Sequence, residues 1–291
     1  MKAFVLPPGG VPAVVDRPAP RPRPGEVLVG TTAALVCAWP GHARADAPAR
    51  LGHEAVGVVR EVGPGVPDAY LGRRVAAEGR GRLAECFALP VRGAGLVRLP
   101  DAITDHQALY ATGALPTGFA AAEEAGVRAG GCVAVFGQGP VGLGATVAAA
   151  RLRGARVIAV EPEPKRQLLA LRFGADVVVD PAYEDSAERI RELTGGAGAD
   201  CAVVATAAPG AARTARAATA PTGRVTHARC AAGDRPGSGA RVTRMLRLIG
   251  DGLLDPTVMT THAFPFTRVE EAFRRLSARE PGMVKPLIRF P

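Results

Sequence analysis

The sequence predicts an α/β chain in which a doubly wound parallel sheet, covered by helices on both faces, is joined to a smaller β-rich domain. Three observations predict it. Short Val-rich runs separated by Pro and Gly clusters occupy the chain up to Thr104. Beyond that point strand-like and helix-like runs alternate, the pattern of a parallel sheet with crossover helices. A glycine-rich hexapeptide, Gly137-Gln138-Gly139-Pro140-Val141-Gly142, joins one such strand to one such helix.

In chain order, strand-like runs lie at Glu26 to Val29, Ala55 to Val62, Arg74 to Ala76 and Leu83 to Leu89. The stretch Pro18 to Gly25 and similar clusters separate them, which suggests a small barrel or sandwich. Asp105 to Ala125 is helix-compatible, with an interruption expected at Pro116-Thr117-Gly118. Cys132 to Phe136 is a buried-type strand and Gly142 to Leu152 a helix. Arg156 to Val160 and Asp176 to Val179 are strands on either side of a helix over Pro164 to Phe173. Ser186 to Thr194 is a helix, Cys201 to Val204 a strand, Ala211 to Ala218 a helix and Arg224 to His227 a fifth strand. A helix over Val269 to Leu276 and a strand within Gly282 to Phe290 close the chain.

Composition narrows the function. The net charge of +9 comes almost wholly from arginine, since Lys2, Lys165 and Lys285 are the only lysines. Those arginines are scattered, and aromatics make up only 4%. Nucleic-acid binders concentrate charge and supply rings for stacking, so nucleic acid is not an expected partner. Five cysteines, an odd number with no CxxC pair, indicate no disulfide framework and fit a cytoplasmic setting. The apolar run after Met1 is too short for a signal peptide. The run from Val133 to Ala150 contains four glycines and reads as strand, turn and helix, not as a membrane span.

The hexapeptide carries the chemistry. In a strand–turn–helix setting the first glycine permits the tight turn, the second lets the backbone approach a pyrophosphate, and the third lets the helix pack on the strand. The helix start, with Pro140 and Val141, offers N–H groups and a positive dipole end to phosphate. Glu161 ends the next strand at the position where a carboxylate would take the ribose hydroxyls and repel a 2′-phosphate, which favours NAD over NADP. Lys165 and Arg166 leave NADP possible. Glu161 could instead serve as a helix-start acid before Pro162.

These residues, with Gly52-His53-Glu54-Ala55-Val56-Gly57-Val58-Val59, Val62-Gly63-Pro64-Gly65-Val66, Thr117-Gly118-Phe119, Val135 to Leu143, Phe173 to Asp176 and Leu193 to Asp200, resemble the medium-chain dehydrogenase/reductase family, in its zinc alcohol and polyol dehydrogenase branch. The resemblance covers nearly the whole chain. It implies a GroES-like domain over residues 1–112 and 255–291, and a Rossmann domain over 113–254. It implies a nicotinamide-dependent oxidoreductase with Thr117 on the nicotinamide side. It further implies a catalytic zinc that polarises the substrate oxygen, held by Cys37 and His53 with Glu54 as third ligand. The other usual third-ligand position is Gly113, which brings no donor.

Further departures follow from the same comparison. Cys37-Ala38-Trp39-Pro40-Gly41-His42 replaces the family's Cys-x-Ser/Thr-Asp-x-His, so Trp39 stands where a hydroxyl begins the proton relay and His42 keeps its outer end. Cys37, Trp39, His42 and His53 are therefore the candidate catalytic residues. The four-cysteine structural-zinc lobe, expected between Val75 and Ala84, is missing. After His227 the usual further strand and helix are missing too, so the sheet lacks its edge strand, and the usual edge-to-edge dimer is not expected. Three functions stay open: an NAD-dependent dehydrogenase of a small alcohol or carbonyl; a zinc-free reductase of an activated C=C, C=N or carbonyl group; and a non-catalytic nucleotide-binding module. The expected partner is a small-molecule substrate, with no nucleic acid and no membrane.

Overall fold

The computed structural model describes residues 1–37, 49–92, 96–228 and 238–291. The chain forms two compact units, Met1–Gly113 with Ala232–Pro291, and Ala114–Ala231.

The first unit holds β1 (Lys2–Leu6), β2 (Ala13–Asp16), β3 (Glu26–Leu35), β4 (Ala49–Arg50), β5 (Glu54–Val62), β6 (Arg74–Glu78), β7 (Cys86–Pro90), β8 (Leu96–Arg98) and helix α1 (Asp105–Tyr110). β1 pairs antiparallel with β2 and β4 in a small sheet. Residues 79–85 join β6 to β7 directly, so the expected loss of the cysteine-rich lobe is seen in the backbone. α1 starts on a capping box, with the Thr104 hydroxyl accepting from the Gln107 N–H and the Gln107 side chain accepting from the Thr104 N–H.

The second unit begins with α2 (Ala114–Ala125). It continues through β9 (Cys132–Phe136), α3 (Pro140–Val147), β10 (Arg156–Val160), α4 (Pro164–Arg172), β11 (Val177–Val179), α5 (Ser186–Leu193), β12 (Ala199–Val204), α6 (Ala211–Ala218) and β13 (Thr219–His227). Its five strands are all parallel, in the order β11-β10-β9-β12-β13. β9 and β10 are buried nearly throughout, as strands covered on both faces must be. β13 is the edge among the described residues, and no sixth strand follows it there.

The chain then returns to the first unit with α7 (Ser238–Gly250), β14 (Thr260–Pro265), α8 (Val269–Ser277) and β15 (Lys285–Arg289). β15 lies antiparallel to β3, with Leu287 opposite Leu35, and β14 lies parallel to β15. The resulting larger sheet runs β14-β15-β3-β5-β6-β8, with β7 also paired to β3.

Two expectations need correction. The helix break falls at Ala111-Thr112-Gly113, not at Pro116. Pro116 is the third residue of α2, in the first turn, where a helix needs no N–H donor. Residues 238–254, assigned from sequence to the nucleotide-binding domain, group with the first unit. Val242, Met245, Leu246 and Ile249 are buried, at the spacing of one helical face, and α7 rests against β8. β14 was not anticipated, because its strand character comes from the ladder that β15 offers and not from its own alternation.

Among the described residues no helix is long and apolar enough to cross a membrane.

Candidate active site

In the second unit the three glycines differ in what they do. Gly137 has φ 85°, the left-handed region that glycine enters without strain, and its N–H donates to the Val160 carbonyl at 2.8 Å. Gly142 lies where an added Cβ would overlap the Gly137 carbonyl oxygen and press on the Ala205 methyl. Gly139 is the opposite case. It caps α3 in extended backbone, and an added Cβ would meet nothing within 4 Å. The loop is locked from within at two glycines and open to a ligand at the third. Pro140 takes the first helical position, where its missing N–H costs nothing, and the first intrahelical bond runs from Leu143 N–H to the Gly139 carbonyl at 2.9 Å. The N–H groups of Val141 and Gly142 precede it and have no acceptor within the helix. These residues fit a dinucleotide's pyrophosphate.

Glu161 is 3% exposed, and its carboxylate accepts the Gln138 N–H at 2.5 Å and the Glu163 N–H at 3.2 Å. Helix capping belongs to Glu163, whose side chain accepts the Arg166 N–H at 2.8 Å. Glu161 is therefore anchored to the glycine loop, and a carboxylate's two oxygens retain acceptor capacity beyond two bonds. Arg166 stands half-buried in the first turn of α4, and Thr117 is half-buried in α2. Sequence inspection missed Gln138, which passes for a filler between two glycines. Its buried amide donates to the Val135 carbonyl at 3.0 Å and accepts from the Thr146 hydroxyl at 2.9 Å, tying β9 to α3.

In the first unit Cys37 follows β3 and is half-buried, while His53 immediately precedes β5 and Glu54 opens it, both buried. Trp39 and His42 lie outside the described residues. His53 Nε2 stands 3.8 Å from Glu54 Oε2. Glu54, fully buried, pairs with the ammonium of Lys285 from β15 at 2.5 Å. A Cβ at Gly113 would stand 2.7 Å from Glu54 Cγ and 2.8 Å from its carboxyl carbon. Glu54 thus fills the space that a side chain at 113 would need.

For a catalytic zinc these donors are a poor fit. Among the described residues no group of three or more His, Cys, Asp or Glu side chains is gathered to hold a metal. The structure brings His53 and Glu54 together but does not assemble Cys37, His53 and Glu54 into one such group. A neighbouring ammonium competes with a cation for the Glu54 carboxylate.

Beside this pair lies a second polar chain that sequence inspection passed over. The Thr260 hydroxyl is 2.6 Å from the Tyr110 hydroxyl and 2.6 Å from His106 Nε2. Thr260 is the register partner of Lys285 between β14 and β15. No local motif marks these residues, since 150 positions separate Tyr110 from Thr260.

Known proteins agree with this architecture. A family profile described as "Alcohol dehydrogenase GroES-like domain" matches residues 23–135, and one described as "Zinc-binding dehydrogenase" matches residues 140–237. An alcohol dehydrogenase of Cupriavidus necator is 27% identical over 361 aligned positions, covering 99% of this chain and 98% of the relative. That alignment is longer than the 291 residues here, so the relative carries segments this chain lacks. An L-threonine 3-dehydrogenase of Thermococcus kodakarensis is 32% identical over 250 positions, 73% of this chain and 70% of the relative. The solved alcohol dehydrogenase of Thermus sp. ATN1 shares the fold, with a TM-score of 0.85 over the full length of both chains at 23% identity. The chain belongs to the medium-chain, zinc-type alcohol dehydrogenase family, and is an NAD(P)-dependent oxidoreductase of that type.

Proposed function

We propose that the chain prefers NAD to NADP and uses it to exchange a hydride with a small alcohol or carbonyl substrate. The observation that carries this is the glycine loop, locked at Gly137 and Gly142 and open at Gly139, with Glu161 anchored beside it. In this reading Gly137, Gly139, Pro140, Val141 and Gly142 hold the pyrophosphate, and Glu161 takes the ribose hydroxyls. Arg166 lies toward the adenosine side and Thr117 toward the nicotinamide. Cys37, Trp39, His42 and His53 serve the substrate. In oxidation the substrate C–H bond breaks with both electrons passing to nicotinamide C4, and the O–H proton leaves to a base.

Fluorescence titration tests the preference. NADH is expected to bind about tenfold tighter than NADPH, a difference of about 1.4 kcal/mol. Glu161→Ala should narrow the gap by weakening NADH alone. Tighter binding of NADPH by the unaltered protein would sink the preference.

A specific observation favours a second reading. Gly113 brings no donor, and Glu54 is engaged by Lys285. A metal-independent reductase of an enone, an iminium or a reactive carbonyl needs no Lewis acid, because such bonds are already electron-poor. After exhaustive dialysis against a chelator, reduction of an enone by NADH should then persist. Activity that vanishes and returns only with zinc would instead support a site at Cys37, His53 and Glu54.

With β13 as the edge of the five-stranded sheet among the described residues, we read the usual edge-to-edge dimer as not formed. From the odd cysteine count with no CxxC pair we also read a cytoplasmic setting.

A further inference from the structure

We propose that the buried Gln138–Thr146 pair is a clamp. It holds the peptide group between Gly137 and Gln138 in the orientation that fixes Glu161 for the cofactor ribose. Gln138 and Thr146 are thus positioning residues that act through Glu161. The clamp rests on the ribose-binding role given to Glu161 above, and it deepens that role by naming what sets the carboxylate in place.

The need for a clamp follows from the composition of the loop. Gln138 stands between two glycines, the residue type with the most backbone freedom to lose on folding. Gly137 sits at φ 85°, and Gly139 is extended with open space where a Cβ would be. The intervening peptide group could turn over on such neighbours unless something held it. As it stands, its N–H donates to Glu161 Oε2 at 2.5 Å. On the opposite side, the Gly137 carbonyl oxygen lies against Gly142. Turned over, the group would present a carbonyl oxygen to a carboxylate, two acceptors with no proton between them.

The Gln138 side chain supplies the hold. Neither it nor Thr146 has any exposed surface. Its Nε2 donates to the Val135 carbonyl at 3.0 Å, and its Oε1 accepts from the Thr146 hydroxyl at 2.9 Å. A backbone carbonyl only accepts, so the amide nitrogen must face it, and the amide oxygen is left for the hydroxyl. One contact is on β9 and the other on α3, so the side chain spans the turn that its own backbone makes. A helical threonine ordinarily points its hydroxyl at a carbonyl one turn earlier. That of Thr146 reaches eight residues back, to Gln138. Breaking this contact leaves a polar group buried, which costs more than the bond itself contributes. With the Gln138 N–H on Oε2 and the Glu163 N–H on Oε1, each oxygen of Glu161 has its own backbone donor. The carboxylate cannot rotate without losing both.

The test is a double-mutant cycle between Thr146 and Glu161, read as NADH affinity of the whole chain. Thr146→Val keeps the shape and removes the hydroxyl. It should weaken NADH by about 3- to 10-fold, the worth of one internal hydrogen bond. In a Glu161→Ala background the same substitution should change NADH affinity by less than about twofold, because its route of action has gone. Thr146→Ser, which keeps the hydroxyl, should bind as the parent does. Gln138→Met keeps the length and bulk while removing both side-chain contacts, and it should lose at least as much as Thr146→Val. Parent-like affinity in both Thr146→Val and Gln138→Met overturns the clamp. So do losses that simply add to that of Glu161→Ala, and either result leaves the ribose-binding reading standing. If Glu161→Ala itself binds NADH as the parent does, that reading falls and the clamp falls with it. A second readout needs no cofactor. Hydrogen exchange at the Gln138 amide should quicken in Thr146→Val while the β9 amides keep their protection. Equal quickening in both places would mean general loosening and would overturn the clamp.

Discussion

Lys285→Met is expected to destabilise the protein by about 3–5 kcal/mol, the range for leaving one member of a buried ion pair without its partner. Glu54 has no exposed surface and Lys285 is 4% exposed, so water cannot take over from the lost ammonium. Nor can Glu54 readily swing away, because it already fills the space beside Gly113. A whole domain is stable by only about 5–15 kcal/mol, so the loss is a large share. The double variant Glu54→Gln/Lys285→Met should recover most of it, since the uncompensated charge has gone while the shape is kept. Urea unfolding of the three proteins gives the comparison. If Lys285→Met is as stable as the parent, the pair is not the buried charge partnership described here.

The second large effect separates two glycines that look equivalent in the motif. Gly142→Ala should lower stability by about 1–3 kcal/mol, the usual cost of forcing atoms into a filled space. Its Cβ would overlap the Gly137 carbonyl oxygen, which belongs to backbone and cannot rotate aside. Gly139→Ala should fold normally. Its backbone is extended and its Cβ would meet nothing within 4 Å. The weaker cap it offers α3 is offset by the lower entropy of its unfolded chain. What it should lose is cofactor affinity. Holding the pyrophosphate off two backbone N–H groups costs about 3 kcal/mol, or roughly 100-fold in NADH binding. Thermal unfolding and NADH titration of both variants read the two effects separately. Unchanged NADH affinity in Gly139→Ala would remove the loop from the cofactor site.

Much of the second unit was legible because its signals are local. Strand, turn and helix follow one another within a few residues at Cys132 to Val147, and Gly142 answers to the Gly137 carbonyl five residues before it. Helix ends were legible for the same reason, although the break near Gly113 was misplaced by taking Pro116 as an interruption. Glu161 was found from its place at the end of a strand. Its bond to the Gln138 N–H, and the buried role of the Gln138 side chain, were not.

The sequence by itself determined the nucleotide-binding half, in the order of its strands and helices, the loop at Gly137 to Gly142 and the acid at 161, and, in the first unit, the absence of a side-chain donor at 113. These follow from backbone chemistry and short-range spacing. Only the tertiary structure decided what surrounds Glu54. Lys285 reaches it from a strand at the far end of the chain, and Thr260 comes with that strand by register. The same return of the chain placed α7 with the first unit. Sheet pairing joins residues with no regard for their separation along the chain, and no periodicity in a linear sequence records which distant strand will supply a buried carboxylate's counter-charge.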